Sequence, residues 1–380
     1  MGCCHSNPFL LMYDGCYKVL FRQTDIYPFL FQYSLFLVGY SFSFDGMKKK
    51  IALVTGGYSG EATISYKSAK TIYNNLDKAL FDVYTIDINP SGWFYEHEDG
   101  QKTLVNKENF TLTIGAELVR FDAVFIGMHG TPGEDGKLQG YFDLLGLPYT
   151  SCNASTSALT FNKRYTVAVA AMAGINVAKS VHLFKHTPYD TAAILAGLQM
   201  PLFIKPNNGG SSIGMSKVTE GAQLVPALEK AFAEDDQVLV EEMISGREFT
   251  VGVFKAEGEI TVLPITEVVA HNEFFDFEAK YQGKSSETTP AAIDESWKEN
   301  LEAAAKKIYQ VFNCSGVVRI DFIYDEVKGP CMLEINTVPG QSEASVIPQQ
   351  VRAKGWELKD FYAKILAEAL TAAKAPVGSL

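Results

Sequence analysis

The sequence predicts an α/β fold that opens on a doubly wound parallel sheet. Three observations predict it. Apolar, β-branched runs alternate with helix-spaced segments from residue 51 to about 150. Glycine-rich loops follow those runs, where open parallel sheets bind ligands. Beyond residue 241 the pattern turns mostly to strands, two of which carry paired charges.

The elements follow in order. Residues 51–55 form a first strand, ended by Gly56 and Gly57, and a helix over 65–76 carries Ala69, Ile72 and Leu76 on one face. A second strand over 81–88 closes on a turn at 89–92, and a third covers 121–126. After a glycine loop comes a helix around 138–145, then a long helix over 155–174. Strands at 180–184, 201–205, 214–218 and 237–241 surround a helix at 190–196 and a further one before 237. Strands at 248–254, 259–269, 316–324 and 331–336 are interrupted by an amphipathic helix at 296–312, and a helix over 358–373 closes the chain.

The 380 residues allow two or three domains. With 33 Lys and Arg against 44 Asp and Glu, the net charge of −11 argues against a general nucleic-acid binder. Residues 1–46 differ from the rest: they hold 12 of 46 aromatic residues, 3 of 6 cysteines and only five charges. Their start, Met1-Gly2-Cys3-Cys4-His5-Ser6, matches a lipidation pattern. No basic segment precedes the apolar stretch, and polar residues keep 29–44 below a membrane span. The segment reads as a non-native or disordered leader ahead of Met47. The expected domains are then 47–150, 151–240 and 241–380. Cys152, Cys314 and Cys331 show no metal spacing and read as free thiols of a reducing cytoplasm.

Four segments carry chemistry. In the first, Lys205 ends an apolar strand and a loop through Gly209, Gly210, Ser211, Ser212 and Gly214 follows; such backbone can cradle phosphate. The formal G-x-S-x-G within it lacks the strand-to-helix setting of a nucleophile elbow. In the second, Arg319 and Asp321 share one strand face, as do Glu334 and Asn336, and the turn-like 325–330 makes an antiparallel hairpin. Three oxygen donors without Cys or His suit Mg²⁺ shared with nucleotide phosphates. The opposite face, with Val318, Ile320, Phe322, Leu333 and Ile335, is the expected core side. In the third, Glu241 and Glu248 flank a connector able to meet a base edge and ribose hydroxyls. In the fourth, His129 leads a glycine-rich loop at a strand's carboxyl end. A polar stretch, 274–286, contains Lys280 and Tyr281 and reads as a water-excluding lid.

Taken together, these segments resemble the D-alanine–D-alanine ligases of the ATP-grasp superfamily, in order from residue 50 to about 370. HGTPGEDGKLQG and RIDFIYDEVKGPCMLEINTVPG look like its signatures, KPNNGGSSIGMSK its phosphate loop, and EAKY its lid. The resemblance implies an ATP-grasp fold whose two C-terminal α+β domains clamp ATP. It implies an ATP-dependent ligase of peptidoglycan synthesis: a D-alanine carboxylate takes the γ-phosphoryl group, and a second D-alanine amine displaces phosphate. It further implies a cytoplasmic homodimer with no membrane partner.

The resemblance also implies roles. Lys163, Lys205, Ser212 and Lys280 contact ATP phosphates, and Glu241, Ile244 and Glu248 line the adenosine site. Asp321, Glu334 and Asn336 bind two Mg²⁺, which Mn²⁺ can replace. Arg319 and the Gly340 amide stabilise the acylphosphate and the oxyanion. Ser345 and Val346 receive the second carboxylate, His129 sits near the first, and Ser211 and Tyr281 fasten the lid. The family's ammonium-binding glutamate is expected two residues after Glu61, where this chain has Thr63; Glu61 is the substitute to consider.

Overall fold

In β1 (Lys49–Gly56), successive residues serve two different cores, which is why its centre, 51–54, is apolar on both faces. Ile51 and Leu53 face one layer, Ala52 and Val54 the other. The computed structural model describes residues 47–97, 99–210, 213–270 and 285–372.

β1 pairs in parallel with β2 (Phe81–Asn89) and with β7 (Ala123–Ile126). The expected parallel sheet is therefore present, with an addition. β3 (Gly92–Glu96) and β4 (Lys102–Leu104) extend it antiparallel, giving the order β4-β3-β2-β1-β7. β5 (Leu112–Ile114) and β6 (Glu117–Val119) form a separate hairpin. These strands are three to five residues long, too short for periodicity to register. α1 (Ala62–Asn75) follows β1, and α2 (Lys137–Leu145) follows the loop after β7.

The long helix expected over 155–174 is two, α3 (Ala154–Phe161) and α4 (Lys163–Met172). Asn162 divides them: its extended backbone ends one, and its side chain accepts from Tyr165 N–H to cap the next. Then β8 (Ser180–Phe184), β9 (Leu202–Pro206), β10 (Ser216–Val218) and β11 (Gln237–Glu242) form an antiparallel sheet in the order β10-β9-β11-β8. Its apolar face packs on α5 (Thr191–Gly197) and α6 (Leu224–Glu234) through Ile194, Leu228 and Phe232.

The third sheet contains β12 (Arg247–Ala256), β13 (Glu259–Val262), β14 (Thr266–Ala270), β15 (Ser285–Thr288), β16 (Val317–Asp325) and β17 (Gly329–Asn336). The expected strand over 259–269 is interrupted at 263–265, where Pro264 cannot donate to a ladder. α7 (Glu295–Val311) covers this sheet with Leu301, Ala305 and Ile308. The chain closes with α8 (Val346–Ala353), which sequence periodicity did not reveal, and α9 (Leu358–Ala372). Phe361, Tyr362 and Leu366 of α9 return to the first sheet and share the core of Ile51, Leu53 and Ile72. Among the described residues no helix is long and apolar enough to cross a membrane. Cys152, Cys314 and Cys331 are free and buried.

Candidate active site

A cavity of about 630 Å³ opens between the β8–β11 sheet and the third sheet. Lys205 at the end of β9 and Glu241 at the end of β11 share one of its walls; Lys205 Nζ donates to Glu241 Oε2 at 2.5 Å. Ile244 and Glu248 line the same cavity from the β11–β12 connector and the start of β12. Burial alone would lower the Lys205 ammonium, but Glu241, Glu334 and Glu248 outweigh it and hold the lysine charged. Lys163, at the first position of α4, points its Nζ to Gly209 O at 2.7 Å. Asn207 ties that helix end to the glycine loop: its carbonyl accepts from Lys163 N–H and its side chain from Arg164 N–H.

Asp321 and Glu334 are direct partners across the β16–β17 pair, and Arg319 faces Asn336. All four belong to one face, as the alternation requires. Asp321 is held on three sides. Arg319 donates to both its oxygens, at 2.9 and 2.8 Å, Thr250 Oγ1 to Oδ1 at 2.5 Å, and Asn336 Nδ2 to Oδ2 at 3.4 Å. Asp321 and Glu334 line the cavity. The expected core side needs one correction. A bulge after Asp321 shifts the register, so Met332 enters the core and Leu333 lines the cavity instead.

Glu61, at the N-cap of α1, lines the cavity too. A methyl group on Gly210 would lie 2.9 Å from its Oε1, and one on Gly130 2.6 Å from its Oε2. The carboxylate thus lies against the backbone of both glycine loops. Thr63 is exposed on the first turn of α1 and does not line the cavity. Glu61, and not Thr63, therefore lines the cavity.

His129 is buried, and protein groups occupy both its ring nitrogens: Val338 O lies 2.8 Å from Nδ1 and Ser68 Oγ 2.9 Å from Nε2. Both ring nitrogens are thus engaged within the protein, one by the turn after β17 and one by α1. Burial drives its pKa down to about 4, with Arg319 adding to the effect, so the ring is neutral at pH 7. Glu134 of the same loop accepts from Gly130 N–H at 2.7 Å; burial and the neighbouring Glu61 raise its pKa. Gly340 abuts Ser345, since a methyl group on the glycine would meet Ser345 Oγ at 2.8 Å. Ser345 is the N-cap of α8 and Val346 its first residue, a backbone arrangement suited to a carboxylate. Ser211, Ser212, Lys280 and Tyr281 lie outside the described residues.

Residues 50–152 match the family model for the D-ala D-ala ligase N-terminus and residues 169–367 that for the D-ala D-ala ligase C-terminus. The chain belongs to the D-alanine–D-alanine ligase family. It is 43% identical over 324 residues to a D-alanine–D-alanine ligase of Parabacteroides distasonis, covering 85% of this chain and 98% of the relative. It is 44% identical over 320 residues to that of Phocaeicola vulgatus, covering 84% and 99%. Among solved structures it resembles the VanG D-Ala:D-Ser ligase of Enterococcus faecalis, at 32% identity and a TM-score of 0.76, over 85% of this chain and 100% of that one. It also resembles a Bacillus anthracis D-alanine–D-alanine ligase complexed with ATP, at 25% identity and a TM-score of 0.69, over 86% and 99%. The fold is the ATP-grasp fold of this ligase family, and the chain is a ligase.

Three functional candidates had no sequence signal of their own. Thr250 meets Asp321 across 71 residues of chain, Ser68 meets His129 across 61, and Leu333 depends on the bulge. Glu134 stood within the quoted glycine loop, but its proximity to Glu61 did not follow from spacing.

Proposed function

We propose that the chain joins two D-alanines in an ATP-dependent reaction that supplies D-alanyl-D-alanine, ADP and phosphate for peptidoglycan precursor synthesis in the cytoplasm. The observation that carries this reading is Glu61 facing Gly210 in the cavity that also holds Lys205, Asp321 and Glu334. A carboxylate, two lysines and hard oxygen donors lining one cavity support that reading.

The donor set fits Mg²⁺. Two carboxylates and an amide, Asp321, Glu334 and Asn336, present oxygen without sulfur or imidazole, and Mg²⁺ commonly takes one or two carboxylates plus phosphate oxygens. Two Mg²⁺ ions, or Mn²⁺ in their place, would neutralise charge on the β- and γ-phosphates.

Lys163 and Lys205 hold phosphates, with Ser212 and Lys280 completing the set, while Glu241, Ile244 and Glu248 receive adenosine. Glu61 holds the first ammonium, with Ser211 and Tyr281 alongside. The first D-alanine carboxylate attacks the γ-phosphorus, forming an acylphosphate and releasing ADP. The second amine then attacks the acyl carbon; Arg319 and the Gly340 N–H stabilise the oxyanion, and phosphate departs. Ser345 and Val346 hold the second carboxylate. The working form is a homodimer.

The test is ADP release with ATP, Mg²⁺ and D-alanine, coupled to chiral analysis of the product. Two D-alanines consumed per ADP, with D-serine and D-lactate unable to replace the second at neutral pH, is the expected result. Preferential D-alanyl-D-serine or D-alanyl-D-lactate formation would overturn the substrate assignment. No D-alanine-dependent ADP release would mark a nucleotide-binding module without ligase activity.

A further inference from the structure

Val338 stands two residues before Gly340, and the loop after β7 grips it. Its carbonyl lies 2.8 Å from His129 Nδ1. A carbonyl cannot donate, so His129 Nδ1 carries the proton and Nε2 is the accepting nitrogen. The donor to Nε2 is then Ser68 Oγ, at 2.9 Å. With its own proton used in this way, the Ser68 oxygen accepts from Gln341 N–H at 3.1 Å. Ser68 is fully buried, with Gln341 3% and His129 6% exposed. The Gln341 side chain donates to Pro339 O and accepts from Tyr362 Oη–H. One hydroxyl of α1 thus fixes the backbone at residue 338, through His129, and at residue 341 directly.

We propose that Ser68 is a positioning residue for the ligation: it holds His129 as the neutral Nδ1–H tautomer and so sets the direction of the Gly340 N–H. This rests on the reading of Gly340 as oxyanion donor and deepens it. Residues 338–341 are an irregular turn whose aim is set by what grips its ends. A proton on Nε2 would leave Ser68 facing two donors, the imidazolium and Gln341 N–H. Arg319 of β16 acts on the ring and disfavours a second positive charge. Glu134 of the ring's own loop accepts from Gly130 N–H, and burial and Glu61 raise its pKa. Misplacement of a reacting geometry by about 1 Å costs on the order of 100-fold in rate.

The experiment compares Ser68→Ala with wild type in ligation kinetics from pH 5 to 8, and reads imidazole ¹⁵N shifts in histidine-labelled protein, with His129→Gln assigning the signal. Wild type is expected to show a neutral Nδ1–H ring that does not titrate over this range. Ser68→Ala is expected to lose roughly 10- to 100-fold in kcat with KM for ATP within about twofold of wild type, and its ring is expected to begin titrating. Ser68→Thr, which keeps the hydroxyl, should restore much of the rate. An unchanged kcat in Ser68→Ala beside an active wild type overturns this role alone. An inactive wild type overturns the assigned reaction and this role with it. If Ser68→Ala fails to fold, the wild-type ring decides: a proton on Nε2 overturns the proposal and one on Nδ1 supports it.

Discussion

Thr250 Oγ1 donates to Asp321 Oδ1 at 2.5 Å, and the two buried residues are direct partners across β12 and β16. This bond aims one oxygen of a proposed metal ligand. Thr250→Val keeps the shape and removes the donor. Losing such a supporting bond typically weakens metal binding by about tenfold or more. Mn²⁺ titration by electron paramagnetic resonance in the presence of ATP should show that weakening, and the Mg²⁺ concentration for half-maximal ligation should rise in parallel. Asp321→Ala should abolish activity; near-normal Mg²⁺ dependence in that variant would refute the ligand assignment.

The Lys205–Glu241 pair is largely withdrawn from water, so breaking one side leaves a charge stranded. Lys205→Met is expected to cost roughly 3 kcal/mol in urea unfolding, as single-sided disruption of buried pairs does. Lys205→Met combined with Glu241→Gln should recover a substantial part of it. Simple additivity of the two substitutions would show that the pair is not coupled.

Glu134 sets a pH dependence of stability. Burial and Glu61 raise its folded-state pKa above the ordinary 4.5, so the folded protein binds a proton that the unfolded chain has released. Its contribution is therefore full below the ordinary value and is lost as pH rises through the raised one. Glu134→Gln retains an acceptor for the Gly130 N–H without a titrating proton. The variant should show a flatter fall of denaturation midpoint between pH 5 and 8 than wild type; an equally steep fall would assign the effect elsewhere.

The bulge after Asp321 makes neighbouring residues separable. Met332 is 2% exposed in the core, whereas Leu333 lines the cavity proposed for ATP. Met332→Ala should lose roughly 3 kcal/mol of stability, as buried truncations do, with little effect on KM for ATP. Leu333→Ala should raise KM for ATP and leave the unfolding midpoint nearly unchanged. The reverse pattern would contradict the register.

Much of this molecule was legible in its sequence because the decisive patterns are local. The parallel strands of the first sheet read from apolar runs, and the hairpin placing Asp321 opposite Glu334 from simple alternation. What escaped depends on single polar groups or distant contacts. Asn162 splits a continuous helical pattern by accepting one backbone hydrogen bond. A one-residue bulge exchanges Met332 and Leu333. Glu61 lies against Gly130 and Gly210, a relationship spread over 149 residues of chain. His129 was recognisable as a site-loop residue, but its partners Ser68 and Val338 lie 61 and 209 positions away. No spacing rule could show that both its nitrogens were already occupied.

The central claim is that D-alanine is activated as an acylphosphate in the cavity between Glu61, Lys205 and Asp321. D-alanine labelled with ¹⁸O in its carboxylate tests it most directly, with the released phosphate read by mass spectrometry. The account predicts one ¹⁸O in phosphate per dipeptide formed, because the carboxylate oxygen that attacks the γ-phosphorus leaves with it. Dipeptide formation with unlabelled phosphate would contradict it.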